Sequence, residues 1–235
     1  MRSVQRHGDC RQCWLSSLCF PATLDRGEVE QLATLVQPDP PMDRGSTLFR
    51  AGDAFDRVYV VRTGCVRTMF HDSNGHDQVI GFHLPGNVIG FDTDPDSRRC
   101  CTATVLERTS VCAMDFGDLE RASEEIPGLQ RQLNRLLRRE IAAGEDHVRM
   151  MGRNSAHARV AYFLYRWSER MAVVGRAPTS LTLPMRREDI ASYLGLVTET
   201  TSRAFTRLHE DGVIAVESRR VEILDPERLR EVAAG

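Results

Sequence analysis

Three cysteines within ten residues, Cys10-Arg-Gln-Cys13-Trp-Leu-Ser-Ser-Leu-Cys19, are the feature that most restricts this chain. Thiols this close can converge on one metal centre while a short loop wraps around it. The spacing C-x2-C-x5-C is not in itself a zinc-finger pattern, and no fourth ligand lies nearby, so a later cysteine must close the site. A metal held this way ties the N-terminus to a distant part of the fold. The chain has 7 cysteines, an odd number. Met1 to Asp9 carries no apolar leader, and nowhere do ~18 apolar residues run together, so neither secretion nor a membrane span is expected. In a cytoplasmic protein such cysteines read as thiols or metal ligands rather than a disulfide framework.

With 235 residues, 41% hydrophobic and 27% charged, there is room for two globular domains. All 31 basic side chains are arginine. Residues 1–152 hold 18 arginines against 22 acidic residues, net −4, and residues 153–235 hold 13 against 11, net +2. That mildly basic tail is a weak footprint for nucleic acid, so the case for binding must come from a motif.

Leu24, Val29, Leu32, Leu35 and Val36 define a short amphipathic helix ended by Pro38, Pro40 and Pro41. From Ser46 to Met114 short apolar runs alternate with turn glycines: Thr47-Leu-Phe, Val58-Tyr-Val-Val, Val66-Arg-Thr-Met-Phe, Val79-Ile-Gly-Phe, Val88-Ile-Gly-Phe, Thr102-Ala-Thr-Val-Leu and Val111-Cys-Ala-Met. Asn74-Gly75 is a hairpin signal. An antiparallel β-roll or jelly roll is expected.

From Pro127 the period becomes helical, with Leu129, Leu133, Leu136, Leu137, Ile141, Gly144, Val148 and Met151 at threes and fours. This pattern suits a helix packed on its own β-domain and also a seam pairing two chains. The seam is favoured because a DNA reader follows. If Glu145 or Asp146 lies near the two-fold axis, its charge meets its own copy and weakens pairing; otherwise both are solvated.

Ala156 to Met171 forms a second helix with Val160, Phe163, Leu164 and Trp167 on one side. Leu181-Thr-Leu-Pro then reads as a strand, Arg186 to Leu194 as a helix, Gly195-Leu-Val as a tight turn and Thr198 to Asp211 as another helix. This is helix-turn-helix grammar. Val213-Ile-Ala-Val and Val221-Glu-Ile-Leu add a hairpin, completing a winged module. In the last helix Thr198 is the expected N-cap, and Thr201, Ala204, Phe205 and Leu208 form the inward stripe. Glu199, Ser202, Arg203 and Thr206 face outward. Arg203 can fork onto guanine, Glu199 can accept from a cytosine amino group, and Ser202 can meet a base or phosphate. The plain alternatives are dipole compensation for Glu199 and a solvated charge for Arg203. Arg186, Arg187, Arg207, Arg219 and Arg220 are candidates for phosphate contacts, or merely surface.

Taken together, these features resemble the CRP/FNR superfamily of transcription regulators, in particular its oxygen-sensing FNR branch. The resemblance spans the chain. It is carried by Cys10-x-x-Cys13-x5-Cys19, Thr47-Leu-Phe-Arg-Ala-Gly-Asp53, Gly81-Phe-His-Leu-Pro-Gly86, Gly90-Phe-Asp92, Thr109-Ser-Val-Cys112, Asp189-Ile-Ala-Ser-Tyr-Leu-Gly-Leu196 and Glu199-x-x-Ser202-Arg203. It implies an α+β chain: a cysteine-rich sensor segment over residues 1–22, a cyclic-nucleotide-binding-like antiparallel β-roll over 23–126, a long dimerisation helix over 127–152 and a C-terminal winged helix-turn-helix DNA-binding domain over 153–235.

By the same resemblance, Cys112 joins Cys10, Cys13 and Cys19 in holding a 4Fe-4S cluster that oxygen degrades. Spacing alone leaves Cys65, Cys100 and Cys101 as competitors. The implied protein is a homodimer paired along Leu129, Leu133, Leu137, Ile141, Gly144, Val148 and Met151. It would bind a palindromic double-stranded TTGAT-like site through Glu199, Ser202 and Arg203, controlling anaerobic gene expression, and contact RNA polymerase through the Gln78 to Asn87 surface. Gly144 stands where the family pattern has an acidic residue linked to dimer control, so that residue's role does not carry over.

Three other readings compete. A cyclic-nucleotide regulator could use Arg98 or Arg99 for a phosphate, although Gly90-Phe-Asp and Arg99-Cys-Cys replace the usual ribose and phosphate contacts. A second reading places zinc in the sensor, or haem on His71, His76 or His83. The third is a thiol-disulfide enzyme using Cys10-Arg-Gln-Cys13, for which no thioredoxin-like βαβ setting is visible. No Walker loop, nucleophile elbow or paired catalytic carboxylates appear, so no enzyme is expected.

Overall fold

The computed structural model describes residues 10–72, 77–94 and 96–235. The expectations placed on Met1 to Asp9, Asn74-Gly75 and His76 lie outside the described residues. The chain divides into two compact units, Met1–His71 with Phe82–Ile141 and Asp72–Gly81 with Ala142–Gly235.

In the first unit two 3₁₀ turns, Cys10–Gln12 and Phe20–Thr23, precede helix α1, Arg26–Leu35. Asp25 starts α1 by a capping box: Glu28 N donates to Asp25 Oδ1 and Asp25 N donates to Glu28 Oε2, both at 2.9 Å. One sheet contains β1 (Gln37–Pro38), β3 (Arg57–Thr63), β6 (Val88–Ile89) and β8 (Ser110–Asp115) in the order β1-β8-β3-β6. The other contains β2 (Thr47–Phe49), β4 (Val66–His71), β5 (Asp77–His83) and β7 (Cys101–Val105) in the order β2-β7-β4-β5. The expected β-roll is present.

Side chains alternate between the faces of the first sheet, and this alternation positions the thiol pocket. Tyr59 and Val61 of β3, with Val111 and Ala113 of β8, point into the core shared with Phe49, Val66, Ala103 and Val105. Val58, Val60, Cys112 and Met114 point the other way, against Phe20, Leu32, Leu119, Leu129 and Leu136. Helix α2, Phe116–Glu125, lies on that second side and was not expected from the sequence; Asp115 caps it by accepting from Asp118 N at 3.0 Å. Its opening Phe-Gly reads as the tail of a strand, and ten residues give the helical period little room. Helix α3 runs over Pro127–Met151 as expected.

The second unit begins its C-terminal module with α4, Ala156–Val173, capped by Ser155 and burying Val160, Phe163, Leu164 and Trp167. Then follow β9 (Ser180–Thr182), α5 (Arg187–Leu194), α6 (Thr198–Glu210), β10 (Ile214–Glu217) and β11 (Arg220–Ile223). The wing is a three-stranded sheet in the order β10-β11-β9. A final helix α7, Pro226–Ala234, packs on α4. It was missed at the sequence level, although Asp225 before Pro226 is a helix-start signal.

Candidate thiol pocket and nucleic-acid interface

Cys10, Cys13, Cys19 and Cys112 line one pocket, walled by Leu15, Phe20, Leu32, Val60 and Met114, with Arg62 supplying a positive charge. Short backbone bonds fold the cysteine segment: Ser16 N to Cys13 O at 3.0 Å, Cys19 N to Leu15 O at 3.0 Å and Ala22 N to Cys19 O at 3.1 Å. Leu15 and Phe20, each 1% exposed, anchor it. Cys112 reaches the pocket because β8 places it opposite Pro38 of β1 and Val60 of β3, on the outer side of the sheet.

None of the four is joined in a disulfide. Burial pushes the Cys19 thiol well above its ordinary pKa, and the neighbouring Cys10, Cys112 and Cys13 push the same way. Cys112 is raised chiefly by burial, with Arg62 opposing. A thiol kept neutral by burial is a poor nucleophile, and this applies to Cys19 and Cys112. Among the described residues no group of three or more His, Cys, Asp or Glu is arranged to hold a metal ion. Tetrahedral zinc needs four sulfurs about 2.3 Å from one point. The four thiols line one pocket, and cysteine thiolates are the ligands that iron–sulfur clusters use.

Cys65, Cys100 and Cys101 do not line this pocket. Cys65 and Cys101 are both 0% exposed. The Cys101 Sγ donates to Asp92 Oδ2 at 3.7 Å, and burial followed by Asp92 pushes its pKa up to about 12.

Among the described residues, Arg99, His71 and His83, named for the nucleotide and haem readings, are already engaged. Arg99 is 3% exposed. Its guanidinium donates to Gly90 O at 3.1 Å and Arg57 O at 2.5 Å and lies 4.2 Å from the Phe49 ring centre. A Cβ at Gly90, where φ is +100°, would stand 2.6 Å from Arg99 Nη1. The arginine is thus held by carbonyls and ring faces inside the roll. His71 and His83 bond Thr102 and Thr68, each at 3.0 Å.

In the winged module Gly195 ends α5 at φ +61°, a left-handed cap that glycine adopts without strain, and a Cβ there would lie 2.4 Å from Met151 Cε. On α6 Thr201, Ala204, Phe205 and Leu208 are buried, as expected. Glu199 and Arg203 are exposed on the outer side and form an ion pair with each other, while Ser202 Oγ donates to Thr198 O at 2.9 Å. The N-cap is Val197, not Thr198, and no side chain caps the helix. The expected cap fails because Thr198 is already the first helical residue. Val197, 67% exposed, is an apolar group at the helix start that the sequence reading passed over.

Arg186 pairs with Glu188, Arg207 with Asp211, and Arg220 donates to Ser180 Oγ at 3.4 Å. Arg219 lies exposed at the wing turn. Arg187 is different: its guanidinium sits 3.5 Å from the Phe205 ring centre, half-buried against α6. Part of the surface assigned to polymerase is also covered, since Val79 N donates to Ser192 Oγ at 2.9 Å and Gln78 donates to Ser192 O.

Helix α3 departs from the single-seam expectation. Leu129 is 0% exposed within its own unit's core, so it offers no surface to a second chain. Leu133 packs partly on the same core, and Met151 lies against Gly195. Ile141 and Val148 are 64% and 71% exposed, with Gly144 open beside them and Leu137 half-buried. These four follow a 4-3-4 spacing on one stripe. Asp146 accepts from Tyr162 and Arg166 within its own chain, so its charge is already compensated there.

A β-roll, one long helix with an apolar stripe and a winged helix-turn-helix define a DNA-binding transcription regulator. Two sequence families match its parts: a cyclic nucleotide-binding domain over residues 41–125 and a Crp-like helix-turn-helix domain over residues 158–232. The chain belongs to the CRP/FNR family. It is 38% identical to the transcriptional activator protein FnrA of Stutzerimonas stutzeri, over 99% of this chain and 95% of that protein. It is 34% identical to the fumarate and nitrate reduction regulatory protein of Escherichia coli K12, over 99% of this chain and 94% of that protein. The solved structure of FixK2 from Bradyrhizobium japonicum matches with a TM-score of 0.76 and 32% identity, covering 85% of this chain and 98% of that one. Among the described residues no helix is long and apolar enough to cross a membrane.

Proposed function

We propose that this chain is a cytoplasmic, oxygen-responsive transcription regulator whose Cys10, Cys13, Cys19 and Cys112 hold a 4Fe-4S cluster. The observation that carries the reading is the meeting of three N-terminal thiols and one strand thiol in a single apolar pocket. When bound, the cluster supplies oxygen-labile iron–thiolate bonds between the tail and the roll. The chain's own residues do the rest. Leu15 and Phe20 seat the tail, and Arg62 offsets the negative charge of four thiolates. Two chains pair along Leu137, Ile141, Gly144 and Val148. Two α6 helices then address palindromic TTGAT-like half-sites ~34 Å apart, with Glu199, Ser202 and Arg203 at the bases. Each chain covers half a site, so pairing sets affinity without altering the readers. The names of the relatives, an activator and a regulator of fumarate and nitrate reduction, support a role in anaerobic gene expression, and RNA polymerase is the partner that role calls for.

The test is purification without air. The expected preparation is brown, carries about four irons per chain as this cluster type requires, binds a TTGAT palindrome, and loses colour and affinity together on exposure to air. A colourless, iron-free anaerobic preparation that binds the same DNA equally well overturns the reading.

A further inference from the structure

Gln132 is fully buried, at 0% exposure, on the face of α3 that also buries Leu129 and Leu136. A polar side chain in such a stripe needs partners, and both ends of this amide have one. Its Nε2 donates to the Cys19 carbonyl at 2.8 Å, and its Oε1 accepts from Thr23 Oγ1 at 3.1 Å. Two turns further on, at i+7 on the same face, Arg139 Nη1 donates to the Leu18 carbonyl at 3.2 Å. Helix α3 therefore grips two consecutive carbonyls of the cysteine segment, one belonging to a proposed cluster ligand. The start of the helix is fastened separately, by Gly128 N donating to Glu28 Oε1 of α1 at 3.2 Å.

We propose that Gln132, seconded by Arg139, is the positioning residue that transmits the state of the thiol pocket to α3. The inference rests on the cluster reading above and deepens it. The bond ends on the backbone of Cys19, so any shift of that residue as its sulfur gains or loses a bond moves the carbonyl that Gln132 holds. The amide cannot follow without breaking its second bond to Thr23, and burial leaves it no water as a substitute. The Leu18 carbonyl carries the same displacement to Arg139, nearer the exposed stripe at Ile141.

The experiment compares full-length wild type with Gln132→Met and Arg139→Met, prepared without air in iron-loaded and iron-free forms. Iron content and visible absorbance measure loading, and sedimentation gives the monomer–dimer Kd of each form. The quantity of interest is the ratio of iron-free to iron-loaded Kd. A purely structural role lowers stability and leaves this ratio alone. The expected result is that both variants load iron as wild type does and keep its iron-free Kd, while the ratio falls by about five-fold or more in Gln132→Met and by less in Arg139→Met. Should Gln132→Met fail to fold, the exposed Arg139→Met decides alone. Ratios equal to wild type in variants that load iron overturn the proposal and leave the cluster reading standing. A wild type that takes up no iron overturns both.

Discussion

Arg166 of α4 donates its Nε hydrogen to Asp146 of α3 at 2.7 Å, and Tyr162, one turn before it, donates its hydroxyl to the same carboxylate. The charge that would repel its copy at a two-fold axis is instead balanced inside one chain. Asp146→Asn is expected to lower stability by about 1 kcal/mol, the modest figure reflecting partial exposure of the pair, and to leave the salt dependence of dimerisation unchanged. Thermal unfolding and sedimentation at two ionic strengths check this.

The exposed stripe on α3 makes a different prediction. Ile141 and Val148 are too solvated to matter to the isolated chain, yet each would bury apolar surface across a pairing axis. Ile141→Glu and Val148→Glu should each weaken dimerisation at least tenfold, about 1.4 kcal/mol, with no loss of Tm in the monomer. A dimer of unchanged strength in both variants rules out this stripe as the seam.

The arginines of the winged module should separate by their packing. Arg187→Ala loses its contact with the Phe205 ring and is expected to reduce stability by about 1 kcal/mol, with little effect on how DNA affinity varies with salt. Arg219→Ala removes an exposed charge from the wing, and should leave Tm alone while flattening the plot of log K against log salt by about 0.9. Equal slopes for the two variants would count against a phosphate role for Arg219.

Cys101 predicts behaviour in alkali. Its pKa is pushed from the ordinary 9.0 up to about 12, so between those values the unfolded chain has given up a proton that the folded chain keeps. Stability from this group is complete below pH ~9 and falls as pH rises towards ~12. Comparing denaturant unfolding of wild type and Cys101→Ala across that window should show a shallower decline in the variant.

Much of this fold could be read from local pattern. The β-roll announced itself through apolar runs broken by turn glycines, and α6 through the stripe Thr201, Ala204, Phe205 and Leu208. The helices missed were α2 and α7, short ones whose starting caps, Asp115 and Asp225, sit beside strand-like or wing residues. The cysteine cluster was visible as spacing, whereas its fourth wall was named only through the family resemblance; in the structure the register of β8 against β1 and β3 brings Cys112, and not Cys65 or Cys101, to the pocket. For Leu129, periodicity gave the correct helix but could not say which of its two apolar stripes faced inward. Gln132 did leave a trace, as the polar member of an otherwise apolar stripe, but its partners lie more than a hundred positions away in the chain.

If Glu199 and Arg203 read bases as proposed, their mutual ion pair has a bearing on how errors are refused. Neither side chain is idle while the helix waits in solvent, so a duplex must offer substitutes to both at once before they let go of each other. A near-miss sequence that satisfies only one leaves the other stranded as a naked charge in a crowded groove. Fidelity then comes from a penalty on the impostor as much as from a reward for the correct operator.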